Sequence, residues 1–363
     1  MTRRWQQLDT PVQEWRTSDA SSAARSPVAS PDVLNALAER GDVDTDLVTN
    51  PAVPAPLLSV LATRNSMRVR AGVARHENTA PDTLAVLADY PACQVHVFAN
   101  PNTATAILDA AVSTMITSTL PTHVECVALA ANPNISAGAL TALFEFAHTT
   151  LADSRFTDTL HTAIAGNPAA DDDLRWQYLH PNHYPQSVRT AAAASAPRHV
   201  ICVLADTHVT ANTQDSATDT SILTGLGTNT ATPAAVLHDL REHAAGNNSI
   251  AAGLASNPNT APDTLDWVAR HGHPTAHYEL VRNRNTPVDT LRWLELTGST
   301  PMVAIKLRNR RINRLRYTAK RLPDDQAGAA KALVDTGFPG DANDMVTIVT
   351  GTGTTQLPSG YLP

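Results

Sequence analysis

Cysteine is scarce, with Cys93, Cys126 and Cys202 isolated in sequence and no C-x-x-C pair among them. That spacing argues against a zinc ribbon, a cysteine-held cluster or a disulfide framework, and the three are expected to be small apolar residues of the interior. Aromatics make up only 4% of the chain, so tight interfaces of Ala and Thr are expected in place of large ring contacts. Lysine is nearly absent, at 3 against 24 arginines, a bias that runs along the whole chain and fits genome composition better than selection for planar guanidinium contacts. No apolar run is long enough to span a bilayer, and the start, Met1-Thr2-Arg3-Arg4-Trp5-Gln6-Gln7-Leu8, leads into no apolar stretch of signal-peptide type. A cytosolic protein without membrane contact is the expectation. Catalytic signatures are missing too: there is no nucleophile elbow, Walker loop or dinucleotide fingerprint, and Gly351-Thr352-Gly353 lacks the Lys and helix of a phosphate loop. No enzyme, cofactor or metal is implied.

What the chain does have is a returning phrase. Asn-Pro or a substitute is followed eight residues on by Leu, as in Asn50-Pro51 to Leu58, Asn100-Pro101 to Leu108, Asn132-Pro133 to Leu140 and Asn257-Pro258 to Leu265. With the Asn-like residue as anchor, the series reads Ser26, Asn50, His76, Asn100, Asn132, Asn167, Ser195, Asn229, Asn257, Asn283 and, weakly, Asn309, at spacings of 24 to 35 residues. Such a period predicts one elongated repeat array, because each unit can bury its apolar face only against its neighbours. Leucines at +8 and +11, such as Leu84 and Leu87, mark one face of a short helix. Apolar residues at −3, such as Val73, Val97 and Leu129, end a second segment before each anchor. Each unit is therefore expected to hold two short helical pieces.

The punctuation predicts how the pieces join. In Thr79-Ala80-Pro81-Asp82 and Thr260-Ala261-Pro262-Asp263 the Thr reads as an N-cap before Pro and Asp of a first helical turn. The anchor Asn reads as a left-handed residue that closes the preceding helix. This register resembles the leucine-rich repeat variant family, through Asn100-Pro101-Asn102-Thr103, Asn132-Pro133-Asn134-Ile135, Asn257-Pro258-Asn259-Thr260 and the Val69-Arg70-Ala71-Gly72-Val73-Ala74 segment before His76. The resemblance implies an all-α, right-handed solenoid superhelix of alternating α- and 3₁₀-helices. Some members carry an iron–sulfur module on clustered cysteines, which this chain lacks. The expected organisation is an irregular segment 1–25, repeats over 26–321, and a cap with a flexible tail over 322–363, containing at most a short strand near Met345 to Val349. Trp5 and Trp15 are candidates to cap the first repeat.

Three units, near Ala110 to Asn132, Phe144 to Asn167 and Asp206 to Asn229, exceed the period and are expected to project loops, the polar stretch Thr207 to Asp219 above all. The far end differs in charge. Residues 281–321 hold 11 Lys or Arg against Asp289 and Glu295, a net +9 in a chain of −7. Within them Arg308, Arg310, Arg311, Arg314, Arg316, Lys320 and Arg321 are candidates for binding an anionic partner, with Arg310, Arg314, Tyr317 and Arg321 expected on one helix face. A polar terminal cap would need the same charges. Trp267 and Trp293 share position +10 and would lie side by side in a ladder, as a contact for a base or peptide, or as packing between repeats like Val60 and Val86. His271, His273 and His277, and His180 with His183, sit at Pro-containing turns and read as exposed turn histidines. Asp171-Asp172-Asp173 reads as a first helical turn.

The expected function is a non-catalytic scaffold that binds a protein or peptide on its concave face or projecting loops. Nucleic-acid binding through 281–321 is the alternative. An enzyme similar to the HEAT-like alkyl-base DNA glycosylases is a third, which would need Trp and Asp facing a basic groove.

Overall fold

The structure is a computed structural model that describes residues 6, 10–117, 122–150, 154–180, 183–209, 220–297, 301–335, 337–338 and 340–351, without the side chains of 154, 155, 295, 301–306, 308 and 310. The described residues are helical, with no strand among them. Two compact units divide the chain, residues 1–202 and 203–363.

In the first unit, helices before the anchors form one row and helices after them form another. Met67–Arg75 packs on Pro91–Ala99, which packs on His123–Ala131, then Ser154–Gly166, then Gln186–Ala194. On the other side Ala55–Ala62 lies beside Pro81–Ala88, and Thr105–Thr117 beside Ala137–Thr150. The Leu pairs at +8 and +11 are the cement: Leu34, Leu37, Leu58, Leu61, Leu84, Leu87, Leu140 and Leu143 are all buried. Both pieces of a unit are α-helical, so the alternation of α with 3₁₀ is not found; among the described residues 3₁₀ turns of three residues occur at Val12–Glu14 and Pro274–Ala276. The irregular N-terminal segment is also revised. It contains the helix Thr17–Ala24, and the buried Trp15 donates its indole N–H to Thr10 O at 2.9 Å. Trp5 lies outside the described residues.

The anchors work differently from expectation. Asn100, Asn132 and Asn257 are extended, with φ of −79°, −74° and −71°. A residue before proline is pushed out of the helical regions by the proline ring, which explains why the Asn-Pro pair selects extended backbone rather than left-handed. From that backbone the buried amide reaches back one unit. Asn100 Nδ2 donates to Ala74 O (2.8 Å) and His76 O (3.0 Å), while its Oδ1 accepts from Asn102 N (2.9 Å). The pattern repeats at Asn50 on Ala24 and Ser26, Asn132 on Phe98 and Asn100, and Asn167 on Ala130 and Asn132. In the second unit Asn257 reaches Gly227 and Asn229, and Asn283 reaches Ala255 and Asn257.

The Thr expected as an N-cap looks the other way. Thr79 Oγ1 donates to Val73 O (2.6 Å) and Thr260 Oγ1 to Leu254 O (2.7 Å), so each closes the helix behind it. The N-caps Ala80 and Ala261 carry no side-chain bond. A buried helix C-terminus leaves carbonyls that water cannot reach, and the hydroxyl satisfies one of them.

One rung is built from other parts. At the anchor after Asn167 stands Ser195, whose hydroxyl is too short to span two carbonyls and donates to Ala165 O (2.8 Å). Asn167 O is taken instead by Arg175 Nη2 (3.1 Å), which also bonds Pro168 O (3.1 Å), while Nη1 meets Ser195 Oγ (2.5 Å). Arg175 occupies the +8 position that is leucine in most units, and it is 2% exposed. Burial lowers its pKa, opposed by the nearby Asp172 and Asp171.

In the second unit Thr220–Thr228 packs on Asn248–Ser256 through facing glycines, where a Cβ on Gly253 would stand 3.2 Å from Gly227 C. Small residues at this contact are thus a steric requirement. The weak anchor Asn309 falls inside the 19-residue helix Pro301–Ala319, so the register has ended before it. Beyond it the expected strand and tail are replaced by helices Asp324–Asp335 and Ala342–Thr350, which with Leu315 bury Ala330, Val334, Phe338 and Met345 in one cluster. The helix at Ala342 starts on a capping box from Asp341 to Asp344, a signal that outweighs the strand propensity of its Val, Thr and Ile. Residues 352–363 lie outside the described residues.

Of the cysteines, Cys93 and Cys126 are buried as expected but Cys202 is exposed. After Ser195 the buried pair comes two residues early, as Ile201 and Leu204 at +6 and +9 in place of +8 and +11, and Cys202 turns outward. The long units are lengthened partly in helix: Thr105–Thr117, Ala137–Thr150 and Ser154–Gly166 run to 13, 14 and 13 residues. Thr207 and His208 form the last turn of Arg198–His208, and the loop expected after them falls on residues 210–219, outside those described.

Candidate partner-binding groove

In the first unit a cleft of about 570 Å³ opens between the helices Pro81–Ala88 and Thr105–Thr117. Two sequence features make it. The 13-residue helix is longer than its 8-residue neighbour and lines the cleft as far as Thr114 and Met115, and the positions between the two helices are the small Ala85, Ala88, Ala110 and Ala111. Its floor is apolar, from Phe98, Ile107 and Met115, and its rim carries Asp89 and Glu125. Below it Cys126 Sγ lies 3.0 Å from Met115 Sδ, and burial pushes its thiol up to about 11, so it is a neutral packing group. The signals for this groove in the sequence are the 32-residue spacing from Asn100 to Asn132 and a charge gap: between Arg75 and Arg155 there is no Lys or Arg.

The basic candidates lie in the second unit. Arg314, Arg316, Lys320 and Arg321 are exposed and Arg311 is half-buried; the side chains of Arg308 and Arg310 lie outside the described residues. The helix stops at Ala319, so Arg321 does not share its face but folds back from the turn, with its guanidinium 4.5 Å over the ring of Tyr317. A small cleft of about 170 Å³ beside Arg292, Arg311 and Arg314 also holds Asp341 and Asp344, which offset part of the positive charge.

Trp267 and Trp293 are half-buried and do not form a ladder. Trp267 stacks on His271 at 4.8 Å, while Trp293 faces the Arg270 guanidinium at 5.4 Å and the edge of His277 at 6.4 Å. Asp266 organises this: it holds Arg270 through two bonds (2.9 and 3.1 Å) and accepts from Thr290 (2.6 Å). Its carboxyl is held below the usual range first by the Arg270 hydrogen bond. Each ring therefore has one face against a side chain, and the Asp266 carboxylate is held by Arg270 and Thr290. The packing role expected for position +10 is not general either, since Val60 and Val86 are 51% and 59% exposed.

Among the described residues no three His, Cys, Asp or Glu side chains converge as a metal site. His271 and His273 are exposed at their turn, but His277 is buried, bonding Ala269 O at 3.1 Å. His180 and His183 are exposed and packed edge to face at 4.2 Å. Of the run expected as a first helical turn, Asp172 and Asp173 occupy that turn, while Asp171 is the N-cap before it, accepting from Leu174 N at 2.8 Å.

A cluster that sequence reasoning missed fills the long units. His161, 4% exposed, bonds Tyr178 Oη at 2.8 Å and is ringed by Phe144, His148 and Tyr184. Periodicity carries no sign of it; the concentration of rings between Phe144 and Tyr184, in a chain with few, is the available signal. Desolvation lowers the His161 pKa from 6.5 to about 4, with His148 adding to the shift. The unfolded chain therefore binds a proton near pH 6.5 that the folded chain refuses until about pH 4. Stability from this group is full above the unfolded value and falls by about 3 kcal/mol as pH drops through that window. Urea midpoints at neutral pH and near pH 4 should show that loss in the parent and much less of it in His161→Gln. An equal acid loss in both would reject the assignment.

No family model matches the chain, and no curated protein matches it. The solved structure of an engineered protein matches over 93% of this chain and 98% of that one, at 12% identity and a TM-score of 0.26, which bears on neither fold nor function.

Proposed function

We propose that this chain is a non-catalytic helical-repeat scaffold, a solenoid of the leucine-rich repeat variant type, that binds a protein or peptide in the groove between Pro81–Ala88 and Thr105–Thr117. The observation that carries this reading is the groove itself, open, apolar at its floor and charged at its rim. Pockets of that composition seat an apolar side chain while polar groups fix its orientation. The Asn ladder on either side supports it, since Asn100 and Asn132 tie the groove-forming units together through buried bonds. A surface held in place before binding loses little entropy on binding.

Ala110 lines the groove and is exposed, so Ala110→Trp fills it without touching the core. In parallel pull-downs from the native host, the protein partner recovered by the parent is expected to be absent from the variant at unchanged melting temperature. The same partner recovered equally by both would reject the groove. The second reading, nucleic-acid binding, is favoured by four exposed cations, Arg314, Arg316, Lys320 and Arg321. It predicts recovery that survives Ala110→Trp and falls steeply with salt and nuclease.

A further inference from the structure

The stretch of chain that forms the groove is one-sided in charge, and the cation beside its Asp89 end, Arg70 over the Tyr90 ring at 4.3 Å, belongs to the repeat before. Near the start of the first unit acids have cations beside them: Arg25 pairs with Asp46 at 2.7 Å, Arg40 with Asp42 at 2.8 Å and Arg64 with Asp44 at 3.2 Å. From residue 76 to residue 154 no Lys or Arg exists to do this, while seven carboxylates remain, Glu77, Asp82, Asp89, Asp109, Glu125, Glu145 and Asp153. The groove lies in the middle of that stretch. The carboxylates of its two rim acids, Asp89 and Glu125, have no hydrogen bond or ion pair among the described residues.

Asp89 is also placed against its own interest. It is the C-cap of Pro81–Ala88, where the helix already presents the negative end of its dipole. A carboxylate there is unfavourable for the helix and adds to the negative potential at the groove mouth. Low-dielectric walls focus such a field, so a cation approaching the rim is drawn in while an anion is turned away.

We propose that the groove receives a cationic peptide segment, with one large apolar side chain seated against Phe98, Ile107 and Met115 and a neighbouring Lys or Arg held between Asp89 and Glu125. This rests on the partner-binding reading of the same groove and adds the chemistry of the partner. The apolar floor supplies the affinity, and the paired acids select sequence and steer association.

The test is a selection of random linear peptides displayed on phage against the immobilised full chain at physiological salt. Peptides enriched in Lys or Arg beside Leu, Ile, Phe or Met are expected. Synthetic copies should bind Asp89→Asn/Glu125→Gln about tenfold more weakly than the parent, a difference that narrows as salt rises, because two exposed ion pairs are worth that much. They should fail to bind Ala110→Trp. Both changes are at the surface, and unchanged melting confirms that the fold persists. Selected peptides that are apolar without basic enrichment, and that still fail on Ala110→Trp, would overturn the cationic partner and leave the groove standing. Peptides that bind Ala110→Trp as well as the parent, or a selection that yields no binder, would overturn both.

Discussion

Replacing Arg175 by leucine is expected to destabilise the first unit by about 3 kcal/mol, and adding Ser195→Asn is expected to restore most of that loss. The reason lies in one rung of the ladder. Most anchors are asparagine, whose amide spans two carbonyls of the preceding unit; Ser195 reaches only Ala165 O. Arg175 supplies the missing donor to Asn167 O, at the helix position where most other units place leucine. Leucine alone would fit the space but remove the side-chain donor from Pro168 O and from Asn167 O, which would keep only its backbone bond from Ala170 N (3.2 Å), and it would strand Ser195 Oγ without its guanidinium; lost bonds of this kind cost roughly 1 to 3 kcal/mol each when buried. Asparagine at 195 would then reach Ala165 O and Asn167 O as its counterparts do, and the unit would match its neighbours. Urea denaturation of the two single variants and the double variant gives the coupling. A double variant no more stable than Arg175→Leu would show that the arginine is not a substitute for the missing amide.

Asn132→Ala is expected to cost about 4 kcal/mol, more than an ordinary surface substitution by several-fold. Its side chain donates to Phe98 O (2.7 Å) and Asn100 O (2.9 Å) and accepts from Asn134 N (2.9 Å), and the residue is 2% exposed. Alanine leaves three polar groups in a place where water reaches poorly. Hydrogen exchange should show the loss as early opening of Pro91–Ala99 and His123–Ala131, the helices that the rung joins. A loss below about 1 kcal/mol would mean that the ladder carries little of the stability.

The two predictions bear on what a sequence of this kind makes legible. Anchor positions could be read because the same demand recurs: a donor aimed backwards is needed at each, and asparagine supplies two. The departures at His76 and Ser195 were visible as letters but not as problems with different solutions. His76 Nε2 reaches Asn50 O alone (2.8 Å), whereas Ser195 is assisted by an arginine twenty residues earlier. The role of Thr79 was misread for a related reason. A Thr before Pro-Asp fits an N-cap locally, but a buried carbonyl on the helix behind it has the stronger claim on the hydroxyl.

The basic end shows the opposite case. Its composition was plain in the sequence, yet the break of the helix at Ala319 and the acids Asp341 and Asp344 across the small cleft alter what that charge can do. The groove was the reverse. The 32-residue spacing from Asn100 to Asn132 marks a long unit but not a cleft, because the cleft arises only where the long helix meets a shorter neighbour and alanines face the gap.

Sequence by itself determined the helical class, the anchors from Asn50 to Asn283 and the buried leucines, since these follow from periodicity and from the local preferences of Pro, Asn and Asp. Only the tertiary structure decided the rung at Arg175, the His161 cluster, the outward turn of Cys202, the separation of Trp267 from Trp293 and the groove at Asp89 and Glu125. Each of these depends on which side chains from different units meet, and that is set by helix length and packing across the stack rather than by any stretch of the chain read alone.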